Sequence, residues 1–432
     1  MGNDIIETDV LIIGAGPAGL SAAIHLADLI HLYNKSLENF KPQSAALPLN
    51  IIVLEKGGSI GNHNLSGAVI NPAAFHELLA GIENKDIPFD SPVIKESIQF
   101  FTRHKSFALP FHPPYMGNQG NFVASIGKIA RWLAGIAEQK GVQVFTGFDG
   151  HELIFENDLV VGVRTGATGL DKQGRPKANY QPPTDIRAKI IILAEGARGH
   201  LSKTLISKFG LAKDRNPQVY SLGVKELWQV PEGTIVPGSI THTMGYPLIS
   251  SQFGGGFIYG FSNNQVCVGL AVGLDYKDPT FDPHHAFQLY KKHPAISRIL
   301  KNGKILRYGA KTISEGGLLS IPQLYTDNVL LAGDTAGFLS MPSLKGIHPA
   351  VESAMLAAKT AFEAIKNKDT SLKQLSLYGE LFKKSALYKE LYALRNFRQS
   401  FKRNLFLGVL GFGTQIITHG RGLSLSGKVK ME

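Results

Sequence analysis

Short unbroken apolar runs, each closed by a glycine or an acid, punctuate this chain. Residues 9–13 (DVLII), 51–54 (IIVL), 189–193 (KIIIL) and 329–331 (VLL) lack the polar–apolar alternation of a half-exposed strand. They predict strands buried on both faces. The first runs into GAGPAGLSAAIHLADL (14–29) and the last into GDTAGFLSMPSLKGIHPAVESAMLAAKTA (333–361), both passing into Ala-rich helical sequence. A different pattern closes the chain. NLFLGVLGFGTQIITHG (404–420) holds no acid, Lys or Arg, yet it falls short of the ~20 apolar residues that cross a bilayer.

The first strand–turn–helix unit carries the most specific chemistry. Gly14, Gly16 and Gly19 stand in G-x-G-x-x-G spacing around Pro17 and Ala18. Gly14 permits a tight turn, Gly16 lets backbone N–H groups reach a pyrophosphate, and Gly19 lets the helix lie close on the strand. The buried strand before and the helix after supply the context that the glycines alone lack. Glu55, closing the second strand, is the expected acid for a ribose diol; the other reading is a strand-end surface acid. It lies 41 residues after Gly14, roughly double the usual ~20, and the polar, Pro-containing stretch 34–50 reads as the inserted loop responsible.

The later strand ends decide between cofactors. Asp334 reads either as a helix N-cap or as a partner of a ribityl chain. The backbone near Gly346–His348, with a helix opening at Pro349, would stabilise negative charge on a reduced flavin ring. Glu195 and Gly196 close the middle strand. Three strand ends in order, at 14–19, 195–196 and 333–334, describe a chain-spanning FAD domain rather than a lone nicotinamide site.

Composition narrows the setting. The 432 residues are 44% hydrophobic and 18% charged, which excludes wholesale disorder. One cysteine, Cys267, excludes intramolecular disulfides and cysteine-ligated clusters within the sequence and favours a reducing compartment. The net charge of +11 is concentrated, with +8 in residues 371–432. Such a basic end suits anionic lipid, and its apolar stretch favours lipid over nucleic acid. The acidic start MGNDIIETDV leads straight into a strand and reads as neither signal nor transit peptide. His112 and the pair His284–His285 have no third ligand at suitable spacing, so no metal site is expected. KELYALRNFRQSFKR (389–403) reads as a basic amphipathic helix.

With those residues in view, the chain resembles the electron-transfer-flavoprotein:ubiquinone oxidoreductase family. The segments carrying the resemblance are GAGPAGLSAA (14–23), LSGAVINPAAF (65–75), AEGARGHLSK (194–203), GVKELW (223–228), HTMGYPL (242–248), FGGGFIYGF (253–261), VGLDYKDP (272–279), YGAKTISEGGLLSIP (308–322) and LKGIHPA (344–350). The resemblance implies an α/β architecture: a Rossmann-like FAD-binding domain (1–215 and 313–370), an inserted α+β quinone-binding domain (216–312), and a basic helical tail (371–432). It implies monotopic membrane segments at 404–420 and within 68–82, flanked in the later case by Arg395, Arg398, Lys402, Arg403 and Arg421 meeting headgroups. The implied cofactor-binding residues are Gly14, Gly16, Pro17, Ala18, Gly19, Glu55, Lys56, Ser66, Gly67, Glu195, Gly196, Gly333, Asp334, Gly346 and Ile347. No catalytic side chain and no metal ligand is implied. Gly254 and Gly255, which by themselves read as a strand bulge, match the family's quinone-contacting glycines.

The function implied is passage of electrons from electron-transfer flavoprotein, through FAD, to ubiquinone at the cytoplasmic face of a bacterial inner membrane. Two rivals are an FAD-dependent reductase of an isoprenoid lipid, resembling geranylgeranyl reductases, and a non-catalytic flavoprotein subunit. The sequence departs from the family pattern in three places. The [4Fe–4S] cluster has no ligands here, so a ferredoxin-like partner is expected to hold it or the step is absent. Asp334 stands where the family commonly has Cys, and Ser125 where it has an Arg near the pyrophosphate.

Overall fold

A computed structural model describes residues 5–38, 45–48, 50–64, 67–110 and 113–400. The apolar run at the start becomes the strand Ile5–Ile13, flanked in parallel by Ile51–Glu55 and Asp185–Leu193. Gln143–Thr146 and Val329–Leu331 extend the parallel sheet on either side. Val10, Leu11, Ile12 and Ile190, Ile191, Ile192 have no exposed surface, as expected where both faces are covered. Helices Pro17–Glu38 and Ile347–Asn367 pack side by side over the sheet, with Ile126–Gln139 beside them. The first helix runs through residues 34–38, expected in a loop, because Leu29, Ile30 and Tyr33 keep one face on the core.

A second sheet of seven strands stands beside the first. Its order is Lys304–Ser314, Tyr220–Gln229, Gln265–Gly273, Gly254–Phe261, Ser239–Gly245, Lys95–Phe101 and Ser106–Ala108. The last two strands come from the segment 1–215, expected wholly in the first domain. Lys95–Phe101 pairs in parallel with Ser239–Gly245 along seven residues. Lys304–Ser314 likewise runs past the expected boundary at 312. Helices Pro283–Lys292 and Pro294–Leu300 cover one face, on which Val266, Val268, Leu270 and Val272 meet Phe287 and Tyr290.

Two segments expected to face lipid make other contacts within the fold. Residues 68–82 form the strand Ala68–Ile70 and the helix Ala73–Leu78. Ile70, Ala74, Phe75 and Leu78 are buried in the main core, and Phe75 meets Phe89 edge-on at 6.2 Å. The exposed positions are Ala73, His76, Glu77, Ala80 and Gly81, so the large apolar side chains of this segment are turned to the core. The basic stretch 389–403 is not one helix: Ala386–Ala393 ends and Phe397–Ser400 begins after a break. The break turns Arg395 and Arg398 inward, where they are buried rather than directed at headgroups. Arg398 pairs with Asp275 at 2.6 Å and stacks 3.9 Å over the Phe253 ring. Residues 404–420, with Lys402, Arg403 and Arg421, lie outside the described residues. Among the described residues no helix is long and apolar enough to cross a membrane.

Candidate functional site

The glycine loop folds as its spacing predicts. Gly14 has φ 105°, and a side chain there would collide with the Ala194 carbonyl; one at Gly19 would collide with the Gly14 carbonyl. Gly16 faces open space, with nothing within 4 Å of where a Cβ would lie. Pro17 opens the helix, where its missing N–H costs nothing. Glu55 sits beside the loop, accepting from Ala15 N at 3.1 Å and Gly57 N at 2.8 Å, with His63 Nδ1 at 3.2 Å.

The other strand ends converge on the same place. Gly196 N donates to Thr335 Oγ1 at 3.0 Å, tying the Asp185–Leu193 end to the Val329–Leu331 end. Gly333 has φ 64°, a Cβ there would sit 2.7 Å from that of Ala18, and its N–H donates to Ser353 Oγ. The Glu195 carboxylate is committed to the N–H groups of Leu201 and Ser202 at 3.2 and 2.8 Å, capping the helix His200–Lys208. What residue 195 turns toward a ligand is therefore backbone. The second long helix opens at Ile347, two residues before Pro349, which fits in a first turn whose N–H groups are free anyway.

All of this borders one cleft of about 1710 Å³. Gly14, Gly16, Pro17, Ala18, Glu55, Lys56, Gly67, Glu195, Gly196, Asp334, Gly346 and Ile347 line it, and so do Gly254 and Gly255. Gly19 and Gly333 shape it from behind. Ser66 lies outside the described residues.

The far wall of the cleft is the open face of the seven-stranded sheet. Strand register puts Lys311, Gly223, Ala271 and Gly255 in one row across it. The next row reads Gly309, Lys225, Gly269, Phe257, His242 and Ile98. The first row is almost bare of side chains, which leaves a flat surface for a planar ring. Gly255 is also demanded by packing, since a Cβ there would sit 2.7 Å from the Thr243 carbonyl. In the second row His242 Nε2 lies 3.0 Å from Tyr259 Oη. Lys225, Lys311, His242 and Tyr259 escaped the motif reading. Their signal is positional parity, every second residue on strands distant in sequence.

Charge is unevenly balanced within the cleft. Asp334 is fully buried, and desolvation pushes its pKa up to about 6, with Lys311 pulling the other way. Its Oδ1 has no hydrogen-bond partner. Burial lowers the pKa of Lys311, as does neighbouring Lys56, while Asp334 and Glu55 raise it. Lys311 and Lys56 stand together at this end of the cleft.

Residues 220–313 match the family model described as "ETF-QO, ubiquinone-binding". The chain is 40% identical over 407 residues to the mitochondrial electron transfer flavoprotein-ubiquinone oxidoreductase of Arabidopsis thaliana, covering 94% of this chain and 61% of that protein. It is 39% identical over 418 residues to the electron transfer flavoprotein-ubiquinone oxidoreductase of Pseudomonas aeruginosa, covering 96% and 73%. The chain therefore spans roughly two thirds of the length of these relatives. Among solved structures, a geranylgeranyl bacteriochlorophyll reductase-like protein from Thermoplasma acidophilum superposes with TM-score 0.68 at 18% identity, over 99% of this chain and 94% of its own. The myxobacterial halogenase CndH superposes with TM-score 0.59 at 18% identity, over 96% and 91%. At that identity the likeness shows the fold alone.

Proposed function

Because the chain belongs to the electron-transfer-flavoprotein:ubiquinone oxidoreductase family, we propose that it is an FAD-dependent oxidoreductase passing electrons from electron transfer flavoprotein to ubiquinone. The observation that carries this reading is the continuity of the cleft, which runs from the glycine loop at Gly14–Gly16 to the bare wall at Gly254–Gly255. An electron carrier bound along it would end against whatever lies on that wall.

The residues present fit FAD. Gly16 and the Pro17 helix start leave room and N–H groups for a pyrophosphate. The Glu55 carboxylate borders the cleft beside the glycine loop, held by the Ala15 and Gly57 N–H groups, where its remaining lone pairs would accept from a ribose diol; the orphaned Asp334 Oδ1 would accept from a ribityl hydroxyl. A buried carboxylate oxygen left unsatisfied costs about 1–3 kcal/mol or more, which a donating hydroxyl would offset. When bound, FAD supplies the chemistry that joins single-electron donors to a two-electron acceptor. The chain's own part is placement: Gly346 and Ile347 aim a helix start into the cleft, and Gly255 keeps the wall flat.

Lipid access belongs to this reading too. Phe100, Met244, Ile249 and Leu344 line the cleft and are 37–63% exposed, next to Phe107 on the strand paired with Phe100. An isoprenoid tail would leave the cleft over this rim, so we place the rim against the cytoplasmic face of a bacterial inner membrane. Segment 404–420 would be a second anchor, with Lys402, Arg403 and Arg421 each contributing about 1 kcal/mol near anionic lipid. An iron–sulfur relay would be carried outside this sequence, as on a ferredoxin-like partner, because one cysteine holds no cluster.

The test is an assay on detergent-solubilised protein. It should be yellow, with FAD near one per chain, and should reduce ubiquinone when given reduced electron transfer flavoprotein, alone or with a ferredoxin. A colourless protein, or a yellow one that never reduces quinone with any of these donors, sinks the reading.

A further inference from the structure

We propose that Lys225 is the buried cation that sets how readily the cofactor in this cleft is reduced; the inference rests on the FAD reading above. Lys225 sits on the cleft-facing side of Tyr220–Gln229 and lines the cleft. Its row neighbours on both adjacent strands are glycines, Gly309 and Gly269, although the Phe257 ring leans into the space over Gly269. Among the described residues its ammonium makes one hydrogen bond, donating to the Gly67 carbonyl at 2.9 Å, and no ion pair.

The opposite face of the same sheet shows what a settled buried lysine looks like. There Lys291 donates to both carboxylate oxygens of Glu226, at 2.7 and 2.9 Å. Lys311, on the cleft side, feels the charges of Asp334 and Glu55. Lys225 has neither arrangement. The titratable group acting on it is the Cys267 thiol, one row along the same face, and not a carboxylate. Burial lowers the pKa of Lys225, and the Cys267 thiol pulls the other way, so its charged form is favoured when a negative charge arrives from the cleft.

Position says which charge that is. On the FAD reading Asp334 and Glu55 would hold the ribityl and ribose ends of the cofactor, which would put its ring beyond Asp334, toward the sheet. Lys311 faces Asp334 and pairs with Gly223, which makes Lys225 its diagonal neighbour, roughly 7–8 Å away. Gly67 lies close on the sheet: it has φ 90°, and a side chain on it would run into Cys267 Sγ. Its carbonyl accepts from Lys225 there, which keeps the ammonium beside the cleft. Reduction adds negative charge to the ring, and a nearby unpaired cation stabilises the reduced form.

The test is an anaerobic redox titration of the FAD-loaded protein with Lys225→Met and Lys225→Arg. With the methionine, the reduced form should be at least tenfold less favoured at a given potential, a downward shift of about 30 mV for a two-electron couple; the arginine should restore most of it. Sulfite, which adds to oxidised flavin as an anion, should bind Lys225→Met at least tenfold more weakly. If Lys225→Met loses its flavin, Lys225→Gln, which keeps a donor for the Gly67 carbonyl, is titrated against the same criterion. A yellow variant with unmoved potential and unmoved sulfite affinity overturns this inference alone. A colourless wild-type protein removes the FAD reading beneath it.

Discussion

The parallel sheet around Ile5–Ile13 is buried on both faces, so everything it offers a ligand comes from strand ends: Gly14, Glu55, Gly196 and Asp334. The seven-stranded sheet is buried on one face by two helices, and it offers the other face. Ends supply backbone N–H groups and single carboxylates, the donors and acceptors suited to a phosphate-and-sugar chain. A face supplies area and flatness, which suit a planar ring and a greasy tail. The wall's lower end is itself covered, where Tyr259, Phe261 and Cys267 pack on Val69 and Val123. Only the part bordering the cleft stays open.

That contrast is broken most directly by adding bulk at one place on each sheet. Gly19→Val drives a side chain into the Gly14 carbonyl, and at a helix–strand contact it should cost about 3–5 kcal/mol. The expected outcome is loss of FAD and a large drop in the urea midpoint. Next in size is the response of Asp334 to pH. Its folded pKa of about 6 lies above the ordinary 3.8, so the native state holds a proton that the unfolded chain releases. Stability is therefore fully present below pH 4, falls as pH rises from about 4 to 6, and is lower by roughly 3 kcal/mol above that. Urea unfolding of the flavin-stripped protein at pH 4 and 7 should show the slope. Asp334→Asn should flatten it, while weakening FAD binding at least tenfold.

Sequence disclosed the ends far better than the face, for a physical reason. Gly14, Gly16, Gly19 and Glu55 act through one turn, and Asp334 stands out because an acid closing a buried strand needs a partner. At Glu195 the carboxylate caps the next helix while the residue borders the cleft; whether a strand-end acid points to a ligand or to a helix depends on a bend no spacing encodes. Lys225, His242 and Lys311 come together only through register across strands spanning residues 95 to 314. Alternation says which residues share a side of a strand, not which side meets the cleft. Arg395 and Arg398 are expected at headgroups because they flank the apolar segment 404–420. The break after Ala393 changes that, and nothing as strong as a proline announces it.

A third substitution tests the face by itself. Gly255→Val places a branched side chain on the flat row and presses on the Thr243 carbonyl. The strain should cost about 1–3 kcal/mol, yet FAD should remain bound because no strand-end contact changes. Quinone turnover should fall at least tenfold, mostly through KM, while reduction of the flavin by its donor is preserved. Loss of FAD from this variant would mean that ends and face are not separable.

The smallest effect concerns the outer end of that face. Ile249 is 63% exposed at the cleft mouth, where the reading puts lipid. Ile249→Ser removes apolar surface that would leave water on membrane contact, worth about 1 kcal/mol at ~25 cal/mol per Å², hence roughly a fivefold weaker partition into anionic vesicles. Leu32 is the matched control. It is similarly exposed, at 66%, but lies fifteen residues along the helix from Pro17, about 22 Å from its cleft end. Leu32→Ser should leave vesicle co-sedimentation unchanged. Equal losses from both variants would reduce the rim to ordinary surface apolarity, and no loss from either would leave the membrane contact to residues beyond Ser400. Only a loss confined to Ile249 makes the open face of the sheet the side that meets lipid.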